Sequence, residues 1–148
     1  MSLIDNKKAH FNYEILERYE AGIELLGVEV KSLRAKRASL EGSHVTVRGG
    51  EAFLVGATIQ PYQANNMLKT YDATRNRKLI LTKNEIAELG VHESKKGLTI
   101  VPLAVYSKGR KLKVEIAVAR NKKTHDKRET LKKREAERDI LRDIKSAR

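Results

Sequence analysis

The chain has 148 residues and carries 31 Lys and Arg against 19 Asp and Glu, a formal net charge of +12 at pH 7. It contains no cysteine, which excludes disulfides, thiolate metal sites and thiol nucleophiles together. The surplus cation points to phosphate backbones or an anionic membrane surface, and the membrane is the weaker option because no apolar run approaches the roughly 20 residues that span a bilayer.

Met1-Ser2-Leu3-Ile4-Asp5 lacks the basic-then-apolar pattern of a secretory leader, so a cytoplasmic location is expected. Residues 5–12, with Lys7 and Lys8, read as a polar, basic lead-in. Tyr13 to Glu20 alternates, with Tyr13, Ile15 and Tyr19 on one side and Glu14, Arg18 and Glu20 on the other, which predicts a strand. Between Gly22 and Arg34 the apolar residues Ile23, Leu26, Val30 and Leu33 make a helical stripe, with Gly27, Lys31 and Arg34 on the opposite side. Val45 and Val47 alternate with His44, Thr46 and Arg48, then Gly49-Gly50 turns the chain into Ala52 to Ile59, a hairpin.

Pro61 to Ala73 is an irregular polar connection, long enough to be functional. Arg75 to Leu81 reads as a strand with a basic start; Thr82-Lys83-Asn84-Glu85 is a capping box that opens a short helix, and Gly90 is expected to close it. A second hairpin runs from Leu98 to Tyr106, turns at Ser107-Lys108-Gly109-Arg110 and returns through Val118. On the return strand Leu112, Val114, Ile116 and Val118 face a core while Lys113 and Glu115 face out, and Pro102 belongs at an edge or a bulge. Short strands joined by hairpins, with interspersed helices, predict an α+β, mainly β fold: a small closed antiparallel barrel of the oligonucleotide-binding type with flanking helices.

Residues 1–119 form this body and 120–148 a basic tail, whose 29 residues hold half of the whole net charge and no Gly, Pro or aromatic residue. Good helix formers fill the tail from Glu129 onward, and opposite charges pair at helical spacing, as in Glu135 with Arg138. Leu131 and Ile140, however, fall on opposite faces at about 100° per residue, so no continuous apolar stripe exists to dock the helix. The tail is expected to be disordered alone and helical against an anionic partner.

The sequence holds no phosphate-cradling Gly-rich loop, no Gly-x-Ser-x-Gly elbow and no His-Glu-x-x-His, and its four histidines (His10, His44, His92, His125) are scattered. A non-enzymatic protein with no cofactor and no metal is expected; a two-histidine ribonuclease using His10 and His125 would need both at one scissile phosphate. The basic groups have bland readings beside the functional ones. Lys31 and Arg34 can be a solvated helix face, Arg75, Arg77 and Lys78 can blunt a strand edge, and Lys113 can partner Glu115. The segment Lys122-Lys123-Thr124-His125-Asp126-Lys127-Arg128 packs phosphate-binding cations, a ring able to stack on a base and a helix start into seven residues.

Several blocks together resemble the bacterial SsrA-binding (small protein B) family: Glu20-Ala21-Gly22, Gly27-Val28-Glu29-Val30-Lys31-Ser32-Leu33-Arg34-Ala35, Ala38-Ser39-Leu40, Glu51-Ala52-Phe53-Leu54-Val55-Gly56-Ala57, Arg75-Asn76-Arg77-Lys78-Leu79-Ile80-Leu81 and His125-Asp126-Lys127-Arg128-Glu129. The resemblance covers nearly the whole chain in order. It implies an adaptor that binds the tRNA-like part of transfer-messenger RNA and escorts it, with elongation factor Tu and GTP, to stalled ribosomes for peptide tagging. The body would stand in for the missing anticodon arm, acting as a monomer, and the tail would enter the decoding centre and the empty mRNA channel of the small subunit.

By the same resemblance, transfer-messenger RNA would be met by Asn6, Glu20, Lys31, Arg34, Ile80 and Lys113; on charge alone, Lys7, Lys8, Arg75, Arg77 and Lys78 are candidates for additional RNA contacts. The decoding centre would be met by Lys122, Lys123, His125, Asp126, Lys127 and Arg128, with His125 stacking on an rRNA base and Lys127 and Arg128 on phosphates. The chain departs from the family pattern at Ala73 (usually Pro), Thr82 (commonly His or Asn), Asn121 (usually Gly) and Ala136 (often Trp). The competing reading from composition is a structural ribosomal protein with a basic extension.

Overall fold

The structure is a computed structural model in which residues 2–62, 71–122 and 131–139 are described. In chain order the elements are β1 (Ser2–Asp5), α1 (Lys7–Asn12), β2 (Tyr13–Ile23), α2 (Gly27–Arg34), β3 (Ala38–Ser39), β4 (His44–Arg48), β5 (Glu51–Val55), β6 (Thr58–Ile59), β7 (Arg77–Ile80), α3 (Lys83–Ser94), β8 (Leu98–Lys108) and β9 (Lys111–Asn121). A further helix, α4, covers 131–139. Seven strands form one antiparallel sheet in the order β1-β8-β9-β2-β7-β5-β4, and β3 pairs with β6 apart from it. The sheet curls until β4 lies against β8. Strands β1 and β4 end it, and no ladder joins them among the described residues.

The main core lies inside the curl, where Leu54, Leu79, Ile100, Val114 and Ile116 pack with Leu33 of α2 and Leu89 of α3, each at most 1% exposed. Burying a side chain of this kind is worth about 1.5–3 kcal/mol. A second, smaller cluster (Ala9, Val101, Leu103, Ala117, Ala119, flanked by Tyr13 and Ile15) lies under α1. Two bulges build it. The β2–β9 register shifts between Ile15 and Glu17, and the β8–β9 register shifts between Pro102 and Ala104. Each inserted residue turns the strand over, so Tyr13 and Ile15 serve the outer cluster while Tyr19 and Ala21 serve the inner one. The expectation that Tyr13, Ile15 and Tyr19 share a side therefore fails at the bulge, whereas the bulge expected at Pro102 is present.

This arrangement divides the outer face of the sheet. Small α1 covers the part near Ala117 and Ala119, and the part bearing Glu20, Lys113 and Glu115 stays exposed or half-exposed.

Other boundaries differ from the sequence expectations for identifiable reasons. The polar lead-in forms β1 and α1, because Asn6 caps the helix: its side chain accepts from the Ala9 N–H. The predicted stripe from Ile23 breaks, since Ile23 ends β2 and helix α2 begins only at Gly27, leaving Leu26 49% exposed. Leu26 has no side-chain oxygen to cap with; instead Glu29 Oε1 accepts from the Leu26 N–H at 2.8 Å. At the other end of α2 the Lys36 N–H reaches Leu33 O and the Arg37 N–H reaches Ser32 O, with Lys36 at φ +60°, a Schellman closure without glycine.

The capping box at α3 is present, with Glu85 N–H donating to Thr82 Oγ1 at 3.2 Å and Thr82 N–H to Glu85 Oε1 at 3.0 Å. Gly90 does not end α3, which runs on to Ser94. The first hairpin turns at Gly49-Gly50, as expected, but its second strand stops at Val55, where Gly56 takes φ +85° before short β6. Strand β8 extends through Lys108, which shortens the second turn to Gly109-Arg110. No helix among the described residues is long and apolar enough to cross a membrane.

Candidate nucleic-acid interface

Four strands bring one row of residues across the open half of the sheet. Tyr106 on β8 is opposite Lys113 on β9, Lys113 is opposite Gly22 on β2, and Gly22 is opposite Ile80 on β7. Ile80 is 56% exposed, unusual for a strand isoleucine flanked by core residues. Gly22 makes room for it: a Cβ there would stand 3.2 Å from Ile80 Cβ. The cleared row is therefore apolar at Ile80, flat at Gly22 and cationic at Lys113, which has no ion-pair partner among the described residues.

Glu20 sits two residues before Gly22 on the same face. It accepts from the Tyr106 hydroxyl at 2.5 Å and from Lys108 Nζ at 3.1 Å. The Tyr106 bond, followed by the Lys108 bond, holds the Glu20 carboxyl below the usual carboxylate range. Burial, then the bond to Glu20, pushes the Tyr106 phenol up, so the hydroxyl stays protonated and donating. Glu115, opposite Glu20, is drawn to Arg18 at 2.6 Å, which separates the two carboxylates. Three expected RNA contacts, Glu20, Ile80 and Lys113, thus share one face. Sequence reading missed Tyr106 and Lys108, which orient Glu20. Their signal was present in the two-residue spacing of β8.

Helix α2 begins at Gly27, four residues after β2 ends at Ile23. Its inner side carries Glu29, Ser32 and Leu33, all buried, and its outer side exposes Lys31 and Arg34, with no ion-pair partner for either among the described residues. Lys36 and Arg37 extend the cationic run past the helix end, where the carbonyl end of the helix dipole favours positive charge.

What fixes α2 in place is a buried ion network. Glu29 is 1% and Arg77 0% exposed. Glu29 Oε2 accepts from Arg77 Nε at 2.9 Å and Nη2 at 2.7 Å, from Arg75 Nε at 3.1 Å and from the Tyr71 hydroxyl at 3.1 Å, and Oε1 accepts from Arg75 Nη2. Arg77 spends its remaining donors on the carbonyls of Ala57, Ala73 and Arg75. Burial works to raise the Glu29 carboxyl. The bonds from Arg75, the Leu26 backbone and Arg77 outweigh it and hold the group below its ordinary value.

This corrects one expectation outright: Arg77 is enclosed and cannot touch RNA. Arg75 is committed to Glu29 although 31% of its side chain is exposed. Asn6 is likewise 6% exposed, its amide donating to Pro102 O at 2.9 Å and Leu40 O at 3.4 Å; its place is to hold α1 and β8 together. Lys7 is exposed, Lys8 pairs with Glu41 at 2.5 Å, and Lys78 pairs with Glu51 at 3.2 Å.

Of the tail residues, Lys122 is pinned to the end of α1. Its N–H donates to Asn12 O at 2.9 Å and its Nζ to His10 O at 3.4 Å. Lys123, His125, Asp126, Lys127 and Arg128 lie outside the described residues. In α4 every residue is exposed, and the Arg134 guanidinium stands 5.9 Å from the centroid of the Phe11 ring on α1. No cluster of metal-ligating side chains occurs among the described residues.

Comparison with known proteins places these features in a family. A family model described as SmpB protein matches residues 3–146. The chain is 50% identical to the SsrA-binding protein of Gloeothece citriformis over 143 residues, 97% of this chain and 92% of the relative. It is also 50% identical to the SsrA-binding protein of Mesoplasma florum over 140 residues, 95% of this chain and 94% of the relative. A chain in the solved structure described as "tmRNA-SmpB: a journey to the center of the bacterial ribosome" is similar at 43% identity and a TM-score of 0.69, covering 82% of this chain and 85% of that one.

Proposed function

The chain belongs to the SmpB protein family, and from that premise we propose that its open sheet face and the outer side of α2 hold the tRNA-like domain of transfer-messenger RNA. The protein is an RNA-binding adaptor of trans-translation: it binds transfer-messenger RNA and acts with it on stalled ribosomes. The observation that carries the placement is the Ile80–Gly22–Lys113–Tyr106 row with Glu20 held beside it. A structured RNA is recognised by shape and backbone, so the site needs an apolar contact, a flat approach and fixed charges. A held carboxylate adds an acceptor for a base amine or a 2′-hydroxyl.

The curl of the sheet, with β4 against β8, supports reading it as a barrel of the oligonucleotide-binding type. The tail from 123 onward is read as the ribosome-facing part, lying in the mRNA channel with His125, Asp126, Lys127 and Arg128 at the decoding centre; its segment 131–139 is already helical as α4, which departs from the expectation of a tail disordered alone. Lys122, anchored on α1, marks where the tail leaves the body. Delivery would proceed with elongation factor Tu and GTP, by a non-enzymatic, monomeric protein in the cytoplasm. Sequencing the RNA recovered with the protein from cells tests the reading. One dominant tRNA-like species is expected; rRNA throughout, in constant ratio to ribosomes, would return the protein to a structural ribosomal role.

A further inference from the structure

The outer face of the sheet continues beyond Ile80. Lys78 precedes it by two residues on β7 and lies opposite Phe53 on β5, which lies opposite Thr46 on β4. Phe53 is half-buried and points away from the core, which takes its neighbours Ala52 and Leu54 instead. A groove opens on each side of its ring. One of about 730 Å³ runs toward Leu25 and Leu26, and one of about 400 Å³ runs toward His44 and Arg48. Asn76 lines both grooves; it is exposed, and its side-chain amide has no hydrogen-bond partner among the described residues.

We propose that Phe53 is a stacking platform for one unpaired base of the bound RNA, with the Asn76 amide on the edge of that base and Arg48 and Lys78 beside its flanking phosphates. The proposal rests on reading the neighbouring sheet face as RNA-binding. A base inside an A-form duplex cannot reach a ring set on a convex sheet, because its faces are stacked and its major-groove edge is recessed; a splayed base can. An aromatic ring offers every base a π face, and an amide with both donor and acceptor uncommitted fits the paired donor and acceptor of adenine. Lys78 stands 3.2 Å from Glu51 on an exposed rim, a contact weak enough to exchange for a phosphate.

The full-length protein is titrated at low salt with a hexa-adenylate carrying 2-aminopurine, and separately with the tRNA-like domain of transfer-messenger RNA. Wild type is expected to quench the probe on binding. Phe53→Leu, which keeps the apolar bulk but removes the ring, weakens hexa-adenylate about tenfold, while Phe53→Tyr retains it. Asn76→Ala reduces the preference for hexa-adenylate over hexa-uridylate. Circular dichroism of each variant confirms the fold. Unchanged affinity in Phe53→Leu, failure of Phe53→Tyr to retain binding, or no hexa-adenylate binding by wild type overturns the proposal. In that last case the face is open to a protein partner instead. Failure of wild type to bind the tRNA-like domain would defeat the underlying reading separately.

Discussion

Glu29 and Arg77 show how a buried pair serves a surface it never reaches. Removing one partner leaves the other charge enclosed and unpaired, so Glu29→Gln is expected to cost about 3–5 kcal/mol in urea unfolding. Because the folded carboxyl lies below its ordinary value, its contribution is complete at pH values above the ordinary carboxylate range of the unfolded chain. It is lost as pH falls through the lower folded value. The gap between wild type and Glu29→Gln should accordingly narrow in acid; a gap constant from pH 7 to pH 3 would contradict the assignment. Gly22 makes the opposite case. A methyl group there would stand 3.2 Å from Ile80 Cβ, which rides on the β7 backbone, so β2 and β7 must ease apart by a few tenths of an ångström. Gly22→Ala is therefore expected to lower the thermal midpoint slightly and to weaken binding to the tRNA-like domain several-fold, read by filter binding.

Helix ends and strand bulges carry the site at the scale of elements. Thr82→Ala removes a side-chain cap from α3 and should lower stability by about 1 kcal/mol, seen as a drop in the urea midpoint with an unchanged slope. That box was legible because capping is local chemistry: four adjacent residues contain the whole signal. The hairpin at Gly49-Gly50 and the outward Lys113 were legible for the same reason. The face of Tyr13 and Ile15 was not, because a bulge adds a residue without changing the apolar alternation on either side of it. Nor was α2's true start, since Ile23 and Leu26 have helical spacing but β2 claims the first. Arg77 looked like a surface cation because its partner Glu29 lies 48 positions earlier in the chain. Asn6 looked like part of a polar arm because its acceptors, Leu40 and Pro102, are also distant. Long-range pairing of polar groups leaves no local trace.

For the whole molecule, the proposed reading divides the charge between two jobs. Lys31 and Arg34 each expose an uncommitted cation on the body, so the double alanine variant should weaken binding to the tRNA-like domain and flatten its salt dependence by about 1.5 in log–log slope. A slope identical to wild type would return both to ordinary surface. The tail carries +6 of the +12, and on the proposed reading tethering to a body bound through its RNA would give it a high effective concentration at the ribosome. Its point of departure is fixed by Lys122 on α1, so a chain ending at Lys122 keeps β9 and the sheet face whole. The decisive measurement compares that shortened chain with the full one in a single reconstituted system. Affinity for the tRNA-like domain should stay within about twofold, while tagging of peptides on stalled ribosomes disappears. Tagging that persists, or affinity that falls with the tail, would contradict the separation of the two roles.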